Sequence, residues 1–220
     1  MNRIDLLAIV VALVIAPLGQ AATPNQIDDF QSDTTTLGWG GSAPPYTPLP
    51  IRAEGGPAGG GDYYLQISTN GFHLATKNES QWSGDYLSAG INAIEMDVNH
   101  LAGPDPVALR IAVTGPGGFF SSTVPTPIAP GAWQHYEFGL TAADLMHVSG
   151  GTGTLADTLS AVEKLLIRHD NSATPTPPGR HPQHIIATVG IDNIHAIPEP
   201  SISALAFWGL VGLSVARRGG

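Results

Sequence analysis

The chain has 220 residues, of which 46 are Gly or Pro, 12% are charged and none is Cys, and its formal net charge is -9. So much Gly and Pro excludes a helical bundle or coiled coil. The acidic balance argues against nucleic acid, whose phosphates need a basic surface. The missing Cys rules out a disulfide scaffold, a Cys-based zinc site and a thiol nucleophile. With 42% apolar residues the chain is too hydrophobic to be disordered, and its length suits one domain, two at most.

Residues 1–21 read as a secretory signal peptide. Arg3 supplies a positive start, partly offset by Asp5, and Leu6 to Ile15 is an unbroken apolar run of ten. Pro17 and Gly19 break the run, and Gly19 and Ala21 place small residues before a cut after Ala21. An exported domain without disulfides must be held by its own core, helped if at all by a metal ion.

Residues 23–197 are the working domain, and period-two alternation dominates them. Tyr63, Leu65 and Ile67 point one way, and Tyr64, Gln66 and Ser68 the other. Further stretches follow at Ile94–Asn99, Val107–Val113, Tyr136–Leu140, Leu165–His169 and Val189–Ile191. Trp133 precedes Tyr136–Leu140 and reads as core. Turn-forming clusters separate the stretches at Gly55–Gly61, Gly115–Gly118 and Ala173–Gly179. Thr141–Met146 is the one plausible helix. Many short strands without βα alternation predict an all-β, two-sheet antiparallel β-sandwich, with one wet face on each sheet. A jelly roll is the expected topology.

Five short segments carry a resemblance. The domain opens with Ile27-Asp28-Asp29-Phe30 and Gly38-Trp39, continues through Gly61-Asp62-Tyr63-Tyr64-Leu65 and Trp82-Ser83-Gly84-Asp85-Tyr86, and closes with Ile191-Asp192-Asn193-Ile194. This resembles the galactose-binding-like or carbohydrate-binding-module jelly roll. The resemblance implies a structural calcium ion pinning the first strand to the last. Calcium takes six to eight oxygens, and the matching residues are Asp28 or Asp29 and Asp192, with Asp62 as a further donor. It also implies a sugar-binding surface in which aromatic rings stack on the C–H faces of pyranoses. Trp82 and Tyr86 sit in a polar stretch with Asn78, Gln81 and Asp85, and Tyr64 points away from Leu65. These three are the expected ligand contacts, against the alternative that they pack as core residues.

Other chemistry is less well supported. His181 and His184 flank Pro182, so they cannot share a helical face as a zincin pair does, and the remaining six His are scattered. Glu95 and Asp97 fall on one strand face, about 7 Å apart by strand geometry, within the span of paired glycosidase acids. One of the two would need burial to hold a proton, and Asn99 marks that face as wet. The Gly55–Gly61 run lacks the Lys-Ser/Thr of a phosphate loop and reads as a flexible loop.

The chain closes on a different pattern. Pro198-Glu199-Pro200 stops regular structure. Ser201–Ala216 is sixteen uncharged residues, and Arg217 and Arg218 follow. As a helix this span is about 24 Å long, short of the ~30 Å hydrocarbon core, and snorkelling arginines with bilayer thinning would cover the difference. The arginines would stay cytoplasmic, leaving the domain outside. This end resembles the PEP-CTERM sorting signal of Gram-negative bacteria. The resemblance implies an exosortase-type membrane protease as partner, cleavage near Pro198-Glu199-Pro200, transient membrane anchoring through 201–216, and a final place at the cell surface or outside it.

Together these readings predict an exported, non-enzymatic β-sandwich that binds or structures extracellular polysaccharide of a biofilm matrix. The alternatives are a polysaccharide-acting hydrolase or lyase, with Glu95, Asp97 or Asp85 as acids, and an inert matrix component.

Overall fold

The computed structural model describes residues 21–32, 34–42, 48–180 and 183–199. Two antiparallel sheets face each other across one core. The six-stranded sheet runs β10 (Gln134–Gly139), β6 (Ile91–Ala102), β13 (Ile185–Pro198), β4 (Gly59–Phe72), β3 (Ile51–Gly56), with β1 (Ile27–Asp28) also paired to β13. The seven-stranded sheet runs β11 (Leu145–Ser149), β8 (Gly118–Ser122), β7 (Val107–Gly115), β12 (Lys164–His169), β5 (Ala75–Asn78), β2 (Gly40–Gly41), with β9 (Thr126–Ile128) on the far end of β7. The β-sandwich expected from alternation is therefore what forms, and each of the six predicted stretches falls in a strand.

The alternation also sets which side chains meet. Leu65 and Ile67 of β4, Ile94, Met96 and Val98 of β6, and Val189 and Ile191 of β13 are all buried between the sheets. From the other sheet come Leu109, Ile111 and Val113 of β7 with Leu165 and Ile167 of β12. The first and last strands are neighbours: Ile27 pairs with His195 and Asp28 with Ile194. A two-residue strand has little pairing of its own, so side-chain contacts must hold it.

Two local readings differ from the structure. Thr141–Asp144 is a turn and not a helix: the Asp144 carboxylate accepts from the Thr141 backbone N–H and hydroxyl at 3.1 and 2.6 Å, and the chain then enters β11. The helix is α1, Leu155–Leu159, started by a capping box in which Thr154 and Asp157 satisfy each other's backbone. Gly55–Gly61, read as a flexible loop, is the tip of the β3–β4 hairpin, where Gly56 pairs with Gly59.

The ends reach the sandwich as far as they are described. Ala21 bridges Ser83, Ala22 is buried, and its N–H donates to the Ser83 carbonyl at 2.7 Å. Pro198 ends β13, and the Glu199 N–H donates to Gly90 O at 2.8 Å. Residues 1–20, Pro200, the apolar span 201–216, Arg217 and Arg218 lie outside the described residues. Among the described residues no helix is long and apolar enough to cross a membrane.

Candidate ligand groove

Trp82 and Tyr86 do not form a surface for sugars. Both are completely buried between the sheets. The Tyr86 hydroxyl donates to Trp82 O at 2.7 Å, and burial pushes its pKa up. Trp82 instead donates its indole N–H to Asp28 Oδ2 at 2.7 Å, and Trp39 donates to the same oxygen at 2.7 Å. The Gln81 amide reaches both Asp28 oxygens at 2.9 Å. Burial raises the Asp28 pKa, and these three donors oppose it. Held by two indoles and an amide inside the protein, Asp28 is a structural anchor for β1.

Asp192 is placed differently. It is buried, its Oδ1 accepts from the Asn193 N–H at 2.8 Å, and its Oδ2 has no hydrogen-bond partner. Burial, together with the charges of Asp62, Asp97 and Asp29, pushes its pKa up to about 7 against the opposing Asn193 bond. A Cβ built on Gly56 would lie 2.6 Å from Asp62 Oδ2 and 3.2 Å from Asp192 Oδ2, so the two carboxylates converge on the space that this glycine leaves open. A buried carboxylate oxygen without a donor, beside a second carboxylate, fits a hard cation such as calcium. Among the described residues no group of three or more His, Cys, Asp or Glu gathers as a metal set, so carbonyls or water would complete the shell. The carboxylate that meets Asp192 is Asp62, not Asp28. Asp62 also accepts from the Gln31 amide at Oδ1 and the Ala58 N–H at Oδ2, each at 2.6 Å, so a cation there would use its remaining lone pairs beside the unpartnered Asp192 Oδ2.

Tyr64 lies on the outer face of the six-stranded sheet, as its alternation predicts, yet it is only 6% exposed. Trp133 covers it edge-on, with ring centroids 5.1 Å apart. Trp133 was expected in the core and is half-buried on this outer face. Gly190 lies under the pair: a Cβ there would come within 2.5 Å of the Trp133 ring. On the same sheet His135 bridges Glu95 and Asp97, at 3.2 Å to each, and His195 Nδ1 lies 2.9 Å from Glu95. Glu95 and Asp97 are thus both held by His135 on a half-open sheet face. Asp85 accepts from the Ser88 hydroxyl and N–H, and these bonds hold its pKa below the usual carboxylate value. That is the opposite of the protonated acid that glycoside cleavage needs.

The outer face of the seven-stranded sheet carries a groove with a cavity of about 200 Å³. Register places Lys77 opposite Leu166 and Ala75 opposite Arg168, with Phe119 across from Thr114, which in turn faces Lys164. All of these but Thr114, with His73, His169 and the loop residues Pro178, Gly179 and Arg180, line the groove. Its lining includes four Lys or Arg and no Asp or Glu. Phe119 is its only ring beside the histidines and is just 2% exposed. The Arg168 guanidinium sits 5.7 Å from that ring.

The groove wall is organised by Asp170, which is fully buried. Arg168 Nη2 donates to Asp170 Oδ2 and to Thr176 O, each at 2.5 Å. The Thr176 and Ser172 N–H groups donate to the same carboxylate at 2.8 and 3.0 Å. Burial works against this ionised carboxylate, but the bonds from Thr176, Arg168 and Ser172 win and hold its pKa below the usual value. Arg110 is buried behind it, donating to the Asp170, Ser122 and Ser172 carbonyls. The alternation Lys164, Leu166, Arg168 was visible in the sequence as the outer partner of Leu165 and Ile167, and it is the signal that would have marked this face.

No protein-family model matches the chain. No curated protein matches it. Solved structures do share its fold. The family 11 carbohydrate-binding module from Clostridium thermocellum, in complex with a β-1,3-1,4-mixed-linked tetrasaccharide, superposes with a TM-score of 0.51 at 14% identity, over 80% of this chain and 97% of that one. The N-terminal CBM22-1–GH10 modules of C. thermocellum xylanase 10B give 0.50 at 10% identity, over 82% of this chain and 29% of that one. An exo-β-agarase gives 0.52 at 15% identity, where this chain covers 81% of itself and only 25% of the enzyme. The chain thus spans about a quarter of that agarase and nearly the whole of the isolated module. At these identities the likeness is one of fold alone, a β-sandwich that these modules share.

Proposed function

We propose that this protein is an exported, non-enzymatic polysaccharide-binding module, sorted by its PEP-CTERM-like end and working in the extracellular matrix. The observation that carries the reading is the open groove on the outer face of the seven-stranded sheet, in a fold shared with isolated carbohydrate-binding modules. A groove preformed on a sheet face lets a glycan bind at little cost in reorganisation of the protein. Non-catalytic action is consistent with the pairing of Glu95 and Asp97 to His135 and with the hydrogen-bonded Asp85. In this reading a calcium ion held by Asp192 and Asp62 stabilises the fold near the junction of the β3–β4 hairpin with β13, remote in role from the ligand.

The test is electrophoresis of the full chain, in mild detergent, through gels loaded with acidic and neutral polysaccharides. Retardation by at least one glycan is the expected result. Unchanged mobility in every gel, for a sample with a cooperative melt, would contradict the reading and leave an inert matrix component.

A further inference from the structure

We infer that the groove selects acidic polysaccharide, recognising carboxylate or sulfate groups on the glycan through Lys77, Lys164, Arg168 and Arg180. The inference rests on the polysaccharide-binding reading of this groove and adds the class of ligand.

The placement of charge carries it. The whole chain has only nine Lys and Arg against eighteen Asp and Glu, and Arg3, Arg217 and Arg218 lie outside the described residues. Of the six that remain, four line this one cavity and Arg110 lies directly behind it. Such concentration in an acidic protein gives the groove a sign opposite to that of the rest of the surface. The carboxylates paired with these cations are too few to neutralise them. Glu79 serves both Lys77 at 2.7 Å and Lys164 at 3.6 Å, and Asp170 serves Arg168. Arg180 is exposed on the rim.

Arg168 is buried and tied to Asp170 and Thr176, so it adds positive charge to the groove wall, while Lys77 and Lys164 are partly exposed and Arg180 is exposed. The aromatic content agrees. A neutral glycan is usually gripped by exposed rings, and here Phe119 is nearly covered and, among the described residues, no Trp or Tyr lines the groove. Local charge, rather than stacking, is what this groove has to offer.

The experiment is affinity electrophoresis of the full chain in mild detergent against alginate, carrageenan, mixed-linked β-glucan, xylan and single-stranded DNA, at low and raised salt. Wild type is compared with Lys77→Gln/Lys164→Gln and with Arg180→Gln, whose side chain lies on an exposed loop. The expected result is retardation by alginate or carrageenan that falls with salt, and an affinity loss of about tenfold or more in the lysine pair, the scale of lost charge-assisted hydrogen bonds. Alginate without carrageenan would identify a carboxylate as the recognised group, and the reverse a sulfate ester. Retardation by β-glucan or xylan alone, equal in all variants, would overturn the acidic assignment while leaving polysaccharide binding intact. Retention by DNA as strong as by the polyanionic glycans would overturn the glycan assignment. No retention in any gel would remove both the inference and the reading beneath it.

Discussion

The indole N–H of Trp82 donates to Asp28 Oδ2 at 2.7 Å, so two residues that the sequence offered for two different ligands are bound to each other inside the core. The bond joins the two-residue strand β1 to a segment 54 positions further along the chain. With Trp39 on the same oxygen, one carboxylate satisfies two buried indoles that would otherwise lack acceptors.

Removing that carboxylate should therefore cost stability, not affinity. Asp28→Ala leaves two buried N–H groups unpaired, at about 1–3 kcal/mol each. Trp82→Phe loses one bond and should cost roughly 1–3 kcal/mol. Denaturant melts measure both losses. In the same variants glycan retardation should be unchanged wherever the protein is folded; a selective loss of binding in well-folded Trp82→Phe would restore this residue to the ligand site.

Acid should strike at Asp170. Its pKa is held below its ordinary 3.8 by the bonds from Thr176, Arg168 and Ser172, which outweigh burial, so its ionised form stabilises the fold above about pH 4 and that contribution is lost as pH falls through the depressed folded value. Asp170→Asn leaves Arg168 without its buried counter-charge, at about 3–5 kcal/mol. At neutral pH this corresponds to a Tm lower by roughly 6–20 °C. Thermal melts between pH 3 and 7 should show a steeper acid loss in wild type than in the variant, and parallel profiles would contradict the role given to Asp170.

The sequence made the sandwich legible because each wet-faced strand repeats with period two, as in β4, where Leu65 and Ile67 alternate with Gln66 and Ser68. It could not distinguish a polar segment that is exposed from one folded inward. Trp82 and Tyr86 stand among Gln81, Ser83 and Asp85, yet the indole and phenol find buried partners that only the fold brings near. Asp192 was recognisable as the last-strand acid. Asp62 was legible only as a further donor; that it, rather than Asp28, meets Asp192 follows from where β4 passes Gly56. The groove was missed for a related reason: Lys77, Lys164 and Arg180 are far apart in sequence and are assembled by the β5–β12 pairing and the following loop.

Calcium should raise the melting temperature and a chelator should lower it, because an ion bound only by the folded state stabilises that state, by about 2.7 kcal/mol at a hundredfold excess over its dissociation constant. Asp192→Asn should abolish the difference between the two conditions. An indifferent wild-type melt would eliminate the cation site.

Processing at the far end can be read by mass. In a host that carries the sorting protease, Glu199→Ala should leave the apolar segment 201–216 on the exported protein. A mature mass that changes only by the substitution would contradict the sorting proposal.

The most direct test of the central claim is amide hydrogen exchange on the full chain with and without a glycan that retards it. Binding in the groove predicts slower exchange along Ala75–Lys77, Lys164–Arg168 and the loop leading to Arg180, with the strands around Tyr64 and Trp133 unchanged. Protection confined to the Tyr64–Trp133 face would contradict it.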